Sequence, residues 1–305
     1  MLVGILIAIQ WRRTIKRDFL RNISILVLVF LFSTPVFGQL SQSPPAPSPV
    51  VSKQVEPNIY VFTGGRGANT GAYIGEKEVL LIDSKQDSSS VAQVLAAIKK
   101  LTNAPVTRLV NTHADADHVF GNRFQPAGVI FIAHENCLKE FFVPSMNGTP
   151  SDWNNPALKS FLPSVIFKDR MELQIGTKRV QIYHFGIGHT TGDTVVYFPD
   201  EKVAFIGDQI FTTRVQLIHA YKGGSSFGEV AALEKMLSTI DAQKFVCGHN
   251  DVIDRAAVQN HISQMKALQE KVLNLKMKGQ SMEEVQKQFK QNQSVLVQTI
   301  HSEIK

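Results

Sequence analysis

The stretch Asn-Thr-His-Ala-Asp-Ala-Asp-His at residues 111–118 decides how this chain is read. It sets four ligand-type side chains, His113, Asp115, Asp117 and His118, within six residues. The segment Val106–Val110 (VTRLV) before it reads as a buried strand, and Asn111 and Thr112 lead out of it. A ligand-dense loop at the end of a strand is where an α/β sheet usually places its chemistry. A lone His-x-Asp would be explained by a solvated acidic turn. Three later segments weigh against that: Gly186-Ile-Gly-His189-Thr190, Phe205-Ile-Gly-Asp208 and Val246-Cys-Gly-His249. Each delivers one ligand-type residue directly after a glycine, which lets the backbone turn sharply and approach a site closely.

With these segments in this order, the chain resembles the metallo-β-lactamase-fold superfamily of metallohydrolases over roughly residues 57–255. That family's motif is H-x-H-x-D-H, then a His after Gly, an Asp, and a final Gly-His. The resemblance implies an α/β fold, a four-layer αβ/βα sandwich, with two divalent metal ions between its sheets. It implies that His113, position 115 and His189 hold one ion, that Asp117, His118 and His249 hold the other, and that Asp208 bridges them. Asp83, which ends the apolar run Val79–Ile82, matches the aspartate that braces the ligand loop; a plain strand-end turn residue is the alternative. The implied chemistry is hydrolysis, with a hydroxide between the metals attacking an ester, thioester, lactam or phosphoester. Asp117 is the candidate catalytic residue, placed to orient that hydroxide or relay its proton.

Position 115 departs from the family, with aspartate in place of the second histidine. Zinc remains the expected ion, but a carboxylate is a harder ligand than imidazole and shifts preference toward iron or manganese. Two divalent ions against three carboxylates and one hydroxide leave a formally neutral core, where histidine at 115 would leave one positive charge. Asp115 pointing out of the site, with one ion poorly held, is the other outcome.

Alternatives to a general hydrolase stay open. A β-lactamase is chemically reachable, although the resemblance gives Asp208 where zinc β-lactamases usually carry cysteine or serine, with no lysine just after it. A non-haem iron redox enzyme of the same fold would suit a carboxylate at 115, yet no glycine-rich flavin-binding unit follows. A non-catalytic metal-binding relative is the third. Cys137 and Cys247 occupy no ligand position and read as small buried residues.

Around this core, residues 1–38 read as a signal peptide, with a basic stretch ahead of the apolar run Ile23–Phe32. Cleavage would leave a periplasmic or secreted protein without a stable membrane span; an uncleaved anchor is the alternative. Removing Arg12, Arg13, Lys16, Arg17, Arg21 and Asp18 lowers the formal charge of +6 by 4, to +2, so the basic balance belongs largely to targeting. No basic patch interleaved with aromatics suggests nucleic acid, and a small-molecule substrate is expected. Residues 39–56 read as a Pro- and Ser-rich linker. Gly64-Gly-Arg-Gly67 reads as a hairpin edging the site. The segment from Phe141 to Pro163, with Trp153, reads either as a cover for substrate or as aromatics packed under a surface loop. Arg214, His219, Tyr221 and Lys222 are the polar candidates for contacting substrate. Residues 256–305 read as a C-terminal helical extension, with Ser281-Met-Glu-Glu284 as a capping box; its role and the oligomeric state stay open.

Overall fold

The computed structural model describes residues 48–305; the expected signal peptide and the start of the expected linker lie outside the described residues. Seven strands form the first sheet in chain order: β1 (Val51–Glu56), β2 (Ile59–Thr63), β3 (Thr70–Ile74), β4 (Val79–Ile82), β5 (Val106–Val110), β6 (Ile130–His134) and β7 (Val165–Phe167). The pairs from β1 to β4 are antiparallel and those from β4 to β7 parallel. The second sheet holds β8 (Arg170–Ile175), β9 (Lys178–Tyr183), β10 (Val195–Phe198), β11 (Val203–Gly207), β12 (Lys244–Cys247) and β13 (Ile253–Asp254). Its order is β13-β12-β11-β10-β9-β8, and β11 and β12 are its one parallel pair.

The continuous apolar run of β4 follows from burial on both faces. Leu80 and Ile82 face the second sheet with Val110 and Ile132, against Ile182, Val196, Phe205 and Val246. Val79 and Leu81 face outward into a second cluster with Val94 and Ile98. Those two belong to helix α1 (Ser88–Leu101), whose first turn is capped by Asp87 accepting from the Ser90 amide at 2.8 Å. Short helices α2 (Ala116–Val119) and α3 (Glu135–Glu140) follow β5 and β6; on the far face, α4 (Ser226–Thr239), α5 (Arg255–Met277), α6 (Met282–Gln286) and α7 (Ser294–Glu303) cover the second sheet. Leu233, Met236, Val258, Met265, Val297 and Ile300 pack there with Tyr197, Ala204 and Phe245. The result is the expected helix–sheet–sheet–helix sandwich, with the C-terminal helices joined to its outer layer. Glu303 fastens the last helix by accepting from Ser225 Oγ and the Ser226 amide, both at 2.8 Å, at the start of α4. The capping box at Ser281 and Glu284 is present and opens α6.

The linker expectation needs correction at its end. Residues 51–56 pair with β2 as an edge strand. Pro44, Pro45, Pro47 and Pro49 dominate the composition of 39–56, but Val51 to Glu56 contains no proline and alternates Val51, Lys53 and Val55 along one face.

Gly71 in β3 lies under Phe205, and an added Cβ would sit 2.2 Å from that ring. Phe205 is buried between the sheets and has no room to retreat. Gly71→Ala should therefore lower unfolding stability by about 1–3 kcal/mol. Chemical denaturation checks this, and an unchanged midpoint would show that the sheets do not meet so closely there.

Candidate metal centre

Two of the parallel pairs, β4 with β5 and β11 with β12, lead at their carboxyl ends into the site segments. Asp83 follows β4 in a left-handed conformation (φ 60°) that aspartate tolerates better than most side chains. Its carboxylate accepts from the Thr112 amide at 2.8 Å, from Thr112 Oγ1 at 2.7 Å and from His118 Nδ1 at 2.7 Å. The loop after β5, continued by the single turn α2 (Ala116–Val119), is thereby held at both ends. Asp83 is a brace, not only a turn residue.

These bonds also orient the imidazoles. Thr112 Oγ1 spends its one proton on Asp83, so at 3.0 Å it accepts from His113 Nδ1. His189 Nδ1 donates to the Leu217 carbonyl at 2.7 Å. With Nδ1 so engaged in His113, His118 and His189, each presents Nε2 to the interior, the usual arrangement for metal-binding imidazoles.

Two groups of donor atoms converge there: His113, Asp115, His189 and Asp208, and then Asp117, His118 and His249, each group with its atoms within 4.8 Å of one another. Asp208 belongs to the first group, yet its two oxygens lie 3.3 Å from His118 Nε2 and 3.3 Å from His249 Nε2 of the second. Asp117 Oδ2 lies 3.0 Å from His249 Nε2. Buried His113 Nε2, His118 Nε2 and Asp208 Oδ1 have no hydrogen-bond partner among the described residues. Buried polar atoms are rarely left so, and a bound cation would satisfy all three. The donor set fits divalent ions.

The glycines seen in the sequence are required by this convergence. A Cβ on Gly248 would stand 2.0 Å from Asp208 Oδ1 and 2.7 Å from His118 Cε1. Gly207 (φ 56°) would bring one within 2.6 Å of Thr112 Oγ1. The loop at Gly64–Gly67 edges the site as expected: the Ala68 amide donates to the Asp117 carbonyl at 3.0 Å, and the Asn69 amide to the Gly248 carbonyl at 2.7 Å.

Asp115 turns into the site. Its Oδ2 lies 3.1 Å from His189 Nε2, 3.5 Å from His113 Nε2 and 2.8 Å from His219 Nε2. Its Oδ1 accepts from Lys222 Nζ at 2.6 Å. Burial opposes the charge on Lys222, but Asp115 holds its pKa above the ordinary lysine value. His219 and Lys222, expected to contact substrate, instead hold Asp115. Lys222 restores the positive charge that aspartate at 115 removes, so the pair is charge-equivalent to a neutral histidine. Sequence reasoning missed this partnership. The available signals were a carboxylate in a buried cluster and the three-residue spacing of His219 and Lys222, one turn of 3₁₀ helix.

The other candidates divide. Trp153 and Tyr221 line a cleft of about 440 Å³ that opens beside Asp115 and Asp117. Arg214 does not line it: its guanidinium lies 3.8 Å over the Phe211 ring and borders a different cavity, against α5. The flat guanidinium is drawn to the aromatic face, and Phe211 itself stacks on His249 at 5.7 Å. Trp153 is buried, with its ring against Phe141 and Phe120, so the 141–163 segment packs its aromatics and borders the cleft at once. Cys137 and Cys247 are buried and free, and burial pushes the Cys247 thiol up to about 12.

Residues 63–249 match the sequence profile of the metallo-beta-lactamase superfamily. This chain belongs to that superfamily. Its members are mostly metallohydrolases, and the site above carries their ligand pattern with one substitution. The chain is 23% identical over 231 residues to a metallo-beta-lactamase type 2 of Elizabethkingia meningoseptica, covering 72% of this chain and 86% of that one. It is 27% identical over 165 residues to the 2,4-dinitroanisole O-demethylase subunit alpha of Nocardioides sp. (strain JS1661), covering 53% of this chain and 47% of that one, so it spans about half of that relative. Among solved structures, the DIM-1 metallo-beta-lactamase superposes with a TM-score of 0.59 at 18% identity, over 72% of this chain and 99% of that one. A metallo-beta-lactamase from Pontibacter korlensis gives 0.58 at 18% identity, over 71% and 99%. At such identities the structural likeness concerns the superfamily fold.

Without metal, protons take the place of cations in this superfamily site. Burial opposes charge on His189 and His249, but Asp115 pushes the first up to about 9, and Asp117 with Asp208 pushes the second up to about 9. Both are then imidazolium at neutral pH, and a cation must displace their protons. Metal affinity is expected to climb as the pH rises toward 9 and to level off above it. Chelator competition at several pH values measures this; an affinity flat across that window would contradict it.

Proposed function

We propose that this chain is a hydrolase with a dinuclear metal centre, and the observation that carries the reading is the position of Asp208 between two converging donor groups. In this reading His113, Asp115 and His189 hold one ion and Asp117, His118 and His249 the other, with Asp208 shared. Zinc suits the imidazole-rich set, while the oxygen of Asp115 also admits iron or manganese. Divalent ions in such a site supply Lewis acidity toward a carbonyl or phosphoryl oxygen and lower the pKa of a coordinated water to about 7.

The protein's own residues then position the reactants. Asp117 lines the cleft with a part-exposed side chain. Burial favours its neutral acid, but His118 and His249 hold the pKa down to about 2. An ionised carboxylate at the cleft floor accepts from an attacking water and fixes its direction. Lys222 is committed to Asp115 and Arg214 faces another cavity, so neither is free to hold a lactam drug's carboxylate. A general hydrolase is therefore favoured over a β-lactamase. Two of its relatives, the demethylase subunit and the type 2 enzyme above, are named for different reactions, which supports an enzyme without choosing its substrate. Export is part of the proposal and rests on residues 1–38; among the described residues no helix is long and apolar enough to cross a membrane.

The test is turnover of small ester, phosphodiester and lactam substrates by the metal-replete chain. His113→Ala is expected to cost more than the roughly 10–100-fold typical of outer partners of a metal site. Turnover that survives His113→Ala unchanged would remove the metal centre from the reaction.

A further inference from the structure

A second cavity, of about 360 Å³, lies between the loop that follows Asp208, helix α5 and the start of α7. Its volume falls in the range of small-molecule sites, on the order of 300–1,000 Å³. Met265, Leu268 and Leu296 supply its apolar lining, and Gln264, Asn292 and Gln293 add side-chain amides. Arg214 is the one permanently charged residue among the described lining residues, and none of them is acidic. Glu229 does not line the cavity. It is fully buried, lies 3.7 Å from His261 Nε2, and burial holds its carboxyl above the ordinary glutamate range.

Arg214 is arranged to receive an anion. Its guanidinium lies 3.8 Å over the Phe211 ring, a contact that uses the flat face of the group and leaves the N–H edge open. That edge has no protein partner among the described residues. A guanidinium steadied by stacking presents paired donors that match a carboxylate, and it loses less freedom when the pair forms.

The same loop reaches the metal centre. The Phe211 ring also stacks on the ring of His249, with centroids 5.7 Å apart. Gln216 lines the cavity, accepts from the Phe211 amide at 3.0 Å and donates through Nε2 to the Asp208 carbonyl at 3.1 Å. Phe211 and Gln216 therefore each join the cavity to one ligand of the proposed centre, His249 and Asp208.

We infer that this cavity is a second binding site, for a small organic carboxylate with an apolar chain, and that its occupancy is felt at the metal centre. It goes beyond the hydrolase reading and involves no reaction. Arg214 pairs with the carboxylate, and Met265, Leu268 and Leu296 cover the chain. The pairing cancels a positive charge that otherwise opposes bound cations, so carboxylate and metal strengthen each other's binding.

Calorimetric titration of the metal-loaded, full-length chain compares hexanoate with hexanamide and hexylammonium, which keep the apolar chain and change the charge. Hexanoate is expected to bind at least about tenfold more tightly than either. Arg214→Gln is expected to remove that preference. Gln264→Glu, at an exposed position, places an acid in the lining and is expected to weaken hexanoate by about the same factor. Equal binding of the three, no binding of hexanoate, or a preference that survives Arg214→Gln overturns the site. The chelator-stripped chain shows where the anion sits. Hexanoate is expected still to bind there, about two- to fivefold more weakly, and saturating hexanoate is expected to raise metal affinity by the same factor. Hexanoate binding that vanishes with the metal puts the carboxylate on the ions and overturns the inference, and a metal affinity unmoved by hexanoate overturns the coupling. None of these readouts uses turnover, so a chain that hydrolyses nothing fails the hydrolase reading alone.

Discussion

Methionine in place of Lys222 is expected to lower metal affinity by about 10–100-fold, the usual effect of losing a partner that orients and balances a ligand. The buried ammonium holds Asp115 Oδ1 at 2.6 Å, leaving Oδ2 toward His113 and His189. Removing it frees the carboxylate to rotate and takes one positive charge from the side chains around the ions. A second substitution separates this from general damage. In an Asp115→His background the lysine has no carboxylate to balance, and its charge opposes the metal. There, Lys222→Met should be neutral or should tighten binding. Chelator competition on the four proteins measures the cycle, and additive effects would show that Lys222 and Asp115 act independently.

Alanine at Gly248 is expected to have a comparable or larger effect through geometry alone. Its methyl would stand 2.0 Å from Asp208 Oδ1 and 2.7 Å from His118 Cε1, inside the contact distance of both. Asp208 is the carboxylate shared by the two donor groups, and the Gly248 amide is itself fixed to the Gly207 carbonyl at 2.8 Å. Backbone held in this way cannot yield, so the side chains must. Loss of at least one bound ion per chain is expected while the circular dichroism spectrum is retained. A variant that binds metal normally would show that the site is looser than these contacts require.

Much of this site was legible from local sequence because its ligands sit where strands end. The glycine before His189, Asp208 and His249 is a one-residue signal with a physical cause, and the structure shows that cause at Gly207 and Gly248 as steric contact. Asp83 was legible for the same reason, as the residue that closes an apolar run. The role of Lys222 was not, because its partner lies 107 residues away in sequence and the pairing depends on how two loops meet. Arg214 misled in the opposite way. Its charge suggested a substrate contact, but the neighbouring Phe211 ring captures the guanidinium and turns it from the cleft. At the amino-terminal side, proline-rich composition hid an edge strand at residues 51–56, since pairing to β2 asks only for a short proline-free run.

The most direct measurement is the metal content of the purified full-length chain after loading and dialysis, by elemental analysis against protein concentration. Two divalent ions per chain are predicted, both lost from Asp208→Ala or held far more weakly there. A single ion, unaffected by Asp208→Ala, would contradict a shared carboxylate between two metals.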